Sequence, residues 1–142
     1  MSDEKLMELA LQARESSYSP YSHFRVGAAL LCADDSVYTG CNIENAAFTP
    51  GICAERTAIY KAVSEGKCAF TAIAIAGGSE DSAPALTAPC GVCRQVMREF
   101  CDPEELRIIL GAGTGEKQVY LLKELLPLSF GPDNLNGKEK HS

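Results

Sequence analysis

The sequence predicts a single α/β domain with three layers, α/β/α, in which helices cover both faces of a five-stranded mixed sheet. Helix-periodic and strand-like segments follow one another in the order α-β-β-α-β-α-β-β, the pattern of a sheet with helices between several of its strands. The segment 70–76 is a nearly continuous apolar run, as expected of a strand covered on both faces. A chain of 142 residues, 46% of them hydrophobic, is long enough for one buried core. We therefore expect one domain over residues 1–142, with residues 136–142 as a disordered tail.

The first part of the chain predicts one helix and one hairpin. Apolar residues recur at helical spacing after Ser2, which predicts an amphipathic helix that ends near Tyr18. The runs 25–32 and 37–43 are typical of strands, and the polar segment 33–36 between them favours an antiparallel hairpin.

The rest of the chain predicts two further helices and three strands. A stripe of small residues, Ala54, Ala58 and Ala62, lies along a predicted helix over 53–65, with Gly66 as its stop. Another helix is expected to start at Cys90 and to end before Asp102-Pro103. The remaining strands are predicted over 70–76, 106–110 and 118–122, with a loop over 77–89.

Charge and composition narrow the class of function. The formal net charge is -6, which is the wrong sign for a protein that gains affinity by neutralising nucleic-acid phosphates, so we expect a small, neutral substrate. Charged residues interrupt the first seventeen positions, and this pattern fits neither a signal peptide nor a membrane span. Seven cysteines without an export signal are expected to stay reduced, so we expect a soluble, cytoplasmic protein.

Two short segments carry the residues of a metal site. Cys90 and Cys93 are three residues apart at a predicted helix start, so both sulfurs can meet one tetrahedral ion. Cys53 starts the neighbouring helix and supplies a third thiolate, which leaves the fourth position of a catalytic zinc open for water. Glu55 is expected to shuttle protons rather than bind the metal. Arg56, together with Arg94, is expected to donate hydrogen bonds to the sulfurs.

Other interpretations compete with this one. A lone C-x-x-C is more often a structural zinc site or a redox pair than half of a catalytic centre. A non-enzymatic closed zinc module would take its fourth ligand from Cys41, Cys68 or Cys101. The sequence also contains Cys-Ala-Glu at 53–55 and a proline directly before Cys90. Together these match the [HC]-x-E and P-C-x-x-C pattern of zinc deaminases instead.

With these motifs, the chain closely resembles the small, homotetrameric cytidine deaminases. The resemblance runs from about Tyr18 to Leu135 and includes three further blocks, 18–24, 40–46 and 125–132. It implies one Zn²⁺ per subunit, hydrolysis of cytidine and deoxycytidine to uridine and deoxyuridine in pyrimidine salvage, and a homotetramer with shared active sites. The nearest alternatives act on deoxycytidylate, guanine, a tRNA adenosine or a cytosine-containing antibiotic.

The resemblance also assigns substrate contacts. Asn42 and Glu44 share one face of a predicted strand, and an amide and a carboxylate can both accept hydrogen bonds from hydroxyls. The family implies that this pair binds the sugar 3′-hydroxyl. Outside this family, such a pair near a turn is more often simply solvated. The backbone N–H of Ala54 is expected to orient the amide edge of the base.

Aromatic residues of the family pocket have counterparts here. Phe24 resembles the aromatic that lines the pocket, and Phe130 resembles one that reaches the site of a neighbouring subunit, although both are also plausible core residues. Phe48 stands where many relatives have tyrosine, so the 5′-hydroxyl contact is expected to fall to the backbone near Ala46.

Overall fold

The computed structural model describes residues 1–112 and 115–136, and it confirms the expected α/β fold. Five strands form one sheet in the order β2-β1-β3-β4-β5. The β3–β4 pair is parallel and the other pairs are antiparallel, so the sheet is mixed. The elements are α1 (Asp3–Arg14), β1 (Phe24–Cys32), β2 (Val37–Cys41), α2 (Ala54–Ser64), β3 (Phe70–Ser79), α3 (Gly91–Phe100), β4 (Arg107–Gly111), β5 (Lys117–Leu121), α4 (Leu122–Leu125) and α5 (Pro132–Asn136).

The two faces of β3 bury side chains of different size. Alternate residues of a strand point to opposite faces, so β3 sends Ile73 and Ile75 to one side. On that side they join the buried faces of α2 and α3. The other side of β3 carries only alanines, which pack with Leu6, Met7 and Ala10 of α1; these strand residues are Ala72, Ala74 and Ala76. One helix thus lies close to one face, and two helices cover the other.

Two glycines make close helix approach possible. A Cβ atom at Gly27 of β1 would lie 2.1 Å from the carbonyl oxygen of Ala10, inside α1. A Cβ atom at Gly40 of β2 would lie 2.6 Å from the backbone nitrogen of Ala58, inside α2. Real Cβ atoms do not approach other atoms this closely. Each helix can therefore lie this near to its strand only because the residue there is glycine.

Some element boundaries differ from the sequence prediction. The first helix ends at Arg14 rather than near Tyr18, because the Tyr18 N–H donates to the carbonyl of Asn42, 3.0 Å away. The strand predicted over 70–76 continues to Ser79, where the preceding glycines pair with β1. There the Arg14 guanidinium donates to the carbonyls of Gly78 and Ser79 at 3.1 and 3.0 Å.

The C-terminal part contains two short helices that the sequence analysis does not predict, α4 and α5. Asn136 is the last residue of α5. The rest of the expected tail, residues 137–142, lies outside the described residues. In the described part of the chain, the helices are too short or too polar to span a bilayer.

Candidate active site

The site begins where two helices start at the same end of the sheet. Cys53 is the N-cap of α2 and Cys90 is the N-cap of α3, and both have extended backbone conformations. Neither side chain caps its own helix, so both sulfurs remain available for other contacts. Cys93 lies one turn into α3 and is fully buried. Helix N-termini carry partial positive charge, so two of them meet at this end of the sheet.

The three sulfurs have the spacing of a zinc site. The Sγ atoms of Cys53 and Cys90 are 3.9 Å apart, those of Cys90 and Cys93 are 3.6 Å apart, and all three lie within 4.8 Å of one another. A tetrahedral zinc with Zn–S bonds of about 2.3 Å requires sulfurs about 3.8 Å apart. Over residues 1–112 and 115–136, no fourth cysteine, histidine or carboxylate joins this cluster. The geometry therefore fits a zinc ion with three protein ligands.

Hydrogen bonds set the charge on the sulfurs. The pKa of Cys53 is lowered to about 5, first by the hydrogen bond from the Cys93 thiol and then by Arg56. The pKa of Cys93 is raised, because its proton is shared with Cys53 and because it is buried. The Arg56 Nη2 atom lies 3.2 Å from the Cys53 sulfur. Arg56 thus draws charge away from one sulfur of the cluster.

Arg94 does not take the role that the sequence analysis gives it. Its Nε donates to the carbonyl of Pro89 at 2.8 Å, and its Nη1 donates to the carbonyl of Leu125 at 2.6 Å. The expectation that Arg94 donates to the sulfurs is therefore wrong. Instead it ties the loop before Cys90 to the C-terminal segment.

Glu55 lies beside the sulfur cluster in a buried position. It sits in the first turn of α2 and is 4% exposed. Burial raises the pKa of its carboxyl to about 7, and the negative charge of Cys53 acts in the same direction. A carboxyl with a pKa near neutrality can both accept and donate a proton at physiological pH.

A cavity of about 550 Å³ opens onto the cluster. Most of the predicted site residues line it: Phe24, Asn42, Glu44, Phe48, Cys53, Ala54, Glu55, Arg56 and Cys90. Three predicted site residues do not line it: Ala46, Phe130 and the fully buried Cys93. Thr87 and Ala88, which are not among the predicted site residues, also line the cavity just before Cys90. Their place next to the Pro-Cys motif is the signal that could have found them.

Asn42 is held by the edge of β1. Its Oδ1 accepts from the Val26 N–H at 2.9 Å and from the Ser17 hydroxyl at 2.5 Å. Its Nδ2 donates to the Phe24 carbonyl at 2.8 Å. The carboxamide continues the pairing with β1 beyond Cys41, where β2 ends.

Glu44 is held by the loop that precedes β1. Its Oε1 accepts from the backbone N–H groups of Tyr21 and Ser22 at 3.0 and 3.1 Å, and its Oε2 accepts from the Ser22 hydroxyl. These bonds, led by that of the hydroxyl, lower the pKa of Glu44. The carboxylate at this end of the cavity is therefore ionised.

The aromatic residues of the site are exposed rather than packed in the core. Phe24 is 41% exposed and Phe48 is 80% exposed, and both line the cavity. Phe48 has a positive φ of 63°, a conformation that side chains rarely adopt. The alternative that Phe24 is a core residue is therefore wrong.

Phe130 projects from a segment that α3 fixes in place. The Gln95 Nε2 atom donates to the Phe130 carbonyl at 2.8 Å. The buried Arg98 donates to the Ser129 hydroxyl at 2.9 Å and to Asp133 at 2.7 Å. Phe130 itself is 58% exposed, which contradicts the core interpretation for this residue also.

Comparisons with known proteins agree with this geometry. The family model for the cytidine and deoxycytidylate deaminase zinc-binding region matches residues 1–108. The chain is 46% identical over 136 residues to a cytidine deaminase of Halalkalibacterium halodurans, covering 96% of this chain and 99% of the relative. It superimposes on the crystal structure of a cytidine deaminase from Burkholderia pseudomallei with a TM-score of 0.83 at 43% identity, covering 92% of this chain and 100% of the other. The corresponding structure from Mycobacterium tuberculosis gives a TM-score of 0.77 at 36% identity, with 92% and 99% coverage.

Proposed function

Because the chain belongs to the cytidine and deoxycytidylate deaminase family, we propose that it converts cytidine and deoxycytidine by zinc-dependent hydrolysis to uridine and deoxyuridine, with release of ammonia. One observation carries the proposal. Three sulfurs with zinc spacing and a buried glutamate adjoin the same cavity, which is large enough for a nucleoside.

The metal would be held by Cys53, Cys90 and Cys93. A zinc ion held there would lower the pKa of a water molecule, and that water would be the nucleophile for C4 of cytosine. Arg56 keeps its hydrogen bond to the Cys53 sulfur and offsets part of the negative charge of three thiolates.

Glu55 moves the protons of the reaction. Its carboxylate takes a proton from the attacking water and gives it to ring N3, while the water oxygen bonds to C4. It then transfers the second proton of the water to the exocyclic amine. The C4–N bond breaks with its electron pair on nitrogen, and ammonia leaves. The buried place of Glu55 in the first turn of α2, beside the sulfur cluster, supports this role.

The sugar end of the cavity favours a nucleoside over a nucleotide. Arg56 is the only cationic side chain among the described lining residues, and it is bonded to Cys53. The ionised Glu44 would repel a phosphate brought close to it. This charge distribution argues against deoxycytidylate, and the net charge of -6 argues against a polynucleotide. We assign Phe24, Asn42, Glu44, Phe48 and the backbone near Ala46 and Ala54 to substrate binding.

The proposed assembly is a homotetramer with shared active sites. Phe130 projects outward on an ordered segment, where it can reach a neighbouring subunit. The thiol cluster needs a reducing compartment, which supports a cytoplasmic location. Light scattering tests the assembly, and a monomer would remove the role proposed for Phe130.

Ultraviolet absorbance of the zinc-loaded protein tests the reaction and its substrate class. We expect turnover of cytidine and deoxycytidine but not of cytidine monophosphate or guanine. Glu55→Gln should keep its zinc and lose at least ~10²-fold in kcat. Wild-type turnover by that variant would refute the role of Glu55. Equal activity on the monophosphate would reject the nucleoside assignment, and no turnover at all would favour a closed zinc module.

A further inference from the structure

The side-chain amide of Asn42 has an unambiguous orientation. The Val26 N–H can only donate, so the atom that it meets at 2.9 Å is the oxygen Oδ1. The Phe24 carbonyl can only accept, so the atom at 2.8 Å from it is the nitrogen Nδ2. The backbone of β1 thus fixes which end of the amide points in each direction.

Ser17 fills the last acceptor position of that amide. A carbonyl oxygen has two lone pairs, and Oδ1 of Asn42 already accepts from Val26. The Ser17 hydroxyl lies 2.5 Å from Oδ1, and since Oδ1 carries no hydrogen, Ser17 is the donor. The Ser19 hydroxyl, 3.2 Å from that of Ser17, can then donate in turn. Both lone pairs of Oδ1 are therefore used within the chain.

The backbone keeps Ser17 in this place. The Ser17 N–H donates to the Arg14 carbonyl at the end of α1, at 3.1 Å. The next residue, Tyr18, forms a bridge with Ile43 and accepts from the Glu44 N–H at 2.8 Å. The segment that carries Ser17 therefore runs directly beside Asn42.

We propose that Ser17 is a positioning residue for sugar recognition, because its hydroxyl leaves Asn42 only one free group, a single N–H of Nδ2. Asn42 then meets the substrate as a hydrogen-bond donor, not as the acceptor that the sequence analysis expects. Glu44, which is ionised, can only accept. One donor beside one acceptor matches a hydroxyl, which offers both a lone pair and a proton. This inference rests on the proposed function for the identity of the substrate.

The test compares cytidine with 3′-deoxycytidine, which lacks the hydroxyl in question. Ser17→Ala removes the hydrogen bond from Ser17 to Asn42, and the loss of one hydrogen bond changes an equilibrium constant by about 2- to 12-fold. We expect Ser17→Ala to lower kcat/KM for cytidine by this factor and to leave that for 3′-deoxycytidine within about twofold. Ser17→Thr, which keeps the hydroxyl, should restore the wild-type ratio. Ser16→Ala, a change at an exposed neighbour, should leave both substrates unaffected.

Two results would overturn the proposal. If Ser17 has only a general structural role, Ser17→Ala lowers kcat/KM equally for both substrates and leaves their ratio unchanged. If kcat/KM changes for neither substrate, the hydroxyl is dispensable. Calorimetric binding of the two nucleosides in a Glu55→Gln background gives the same ratio without turnover. If the wild-type protein turns over neither nucleoside, the proposed function fails, and the binding ratio still decides the role of Ser17.

Discussion

Replacement of Glu55 by glutamine should change how the stability of the metal-free protein depends on pH. The folded protein holds the Glu55 proton up to about pH 7, whereas the unfolded chain releases it near the ordinary value of 4.5. Between these values the unfolded state binds fewer protons, so the free energy of unfolding falls as the pH rises. At about 1.36 kcal/mol per pH unit, the wild-type protein loses about 3 kcal/mol of stability over this interval through Glu55. Glutamine does not titrate, so the variant lacks this loss.

Urea unfolding measures the effect. Wild-type and Glu55→Gln proteins, treated with a chelator and kept reduced, are unfolded at pH 4.5 and pH 8.0 at one protein concentration. Other groups titrate in both proteins, and the difference between the proteins reports Glu55 together with its coupling to Cys53. We expect the variant to gain about 3 kcal/mol relative to the wild type between the two pH values. If the two proteins differ in free energy of unfolding by the same amount at both pH values, burial does not keep the Glu55 carboxyl protonated.

Two further changes test the packing and the metal centre. Gly27→Ala places a Cβ atom 2.1 Å from the Ala10 carbonyl oxygen, so α1 must shift, and urea unfolding should show a loss of at least ~1–3 kcal/mol. Arg56→Gln removes the hydrogen bond to the Cys53 sulfur, and chelator competition should show a ~10–100-fold lower zinc affinity.

Each change has a matched control. Gly91→Ala adds the same methyl group where nothing lies within 4 Å, so its stability should stay within ~0.5 kcal/mol of the wild type. If Gly27→Ala lowers the free energy of unfolding as little as Gly91→Ala does, α1 does not lie this close to Gly27. Arg107→Gln removes an arginine whose partner is Asp3 of α1, the helix on the opposite face of the sheet from α2 and α3, and zinc affinity should not change. Equal losses in both arginine variants would contradict the special role of Arg56.

Local patterns predict most of the fold and the metal site. The alanine stripe of α2 and the hairpin of β1 and β2 depend on neighbours close in sequence, and the structure contains both. The cysteine spacing predicts the sulfur cluster for a similar reason, because Cys90 and Cys93 share one helical turn. Only the approach of Cys53 to this pair depends on tertiary structure. The sequence indicates it because Cys53 and Cys90 each stand at the start of a predicted helix.

Contacts between segments far apart in the sequence explain the features that local patterns do not predict. Strand β3 continues through Gly77 and Gly78, which are poor strand formers, because β1 pairs with them. Arg94 binds the Leu125 carbonyl, 31 positions away, and local spacing cannot reveal such a partner. The donor role of Asn42 likewise depends on the alignment of β1 and on Ser17, 25 positions away.

The unequal faces of β3 bear on which substitutions the chain can tolerate. On the side of α2 and α3, Ile73 and Ile75 meet other large side chains, so a methyl group lost at one position can be regained at a neighbour. On the side of α1, alanines pack against the helix, and a Cβ atom at Gly27 would meet backbone atoms of Ala10 and Arg14, which cannot be exchanged for smaller ones. Changes on the first face can accumulate one at a time. Added volume at Gly27 requires α1 to move as a unit, so libraries aimed at this enzyme should vary the isoleucine face and leave Gly27 fixed.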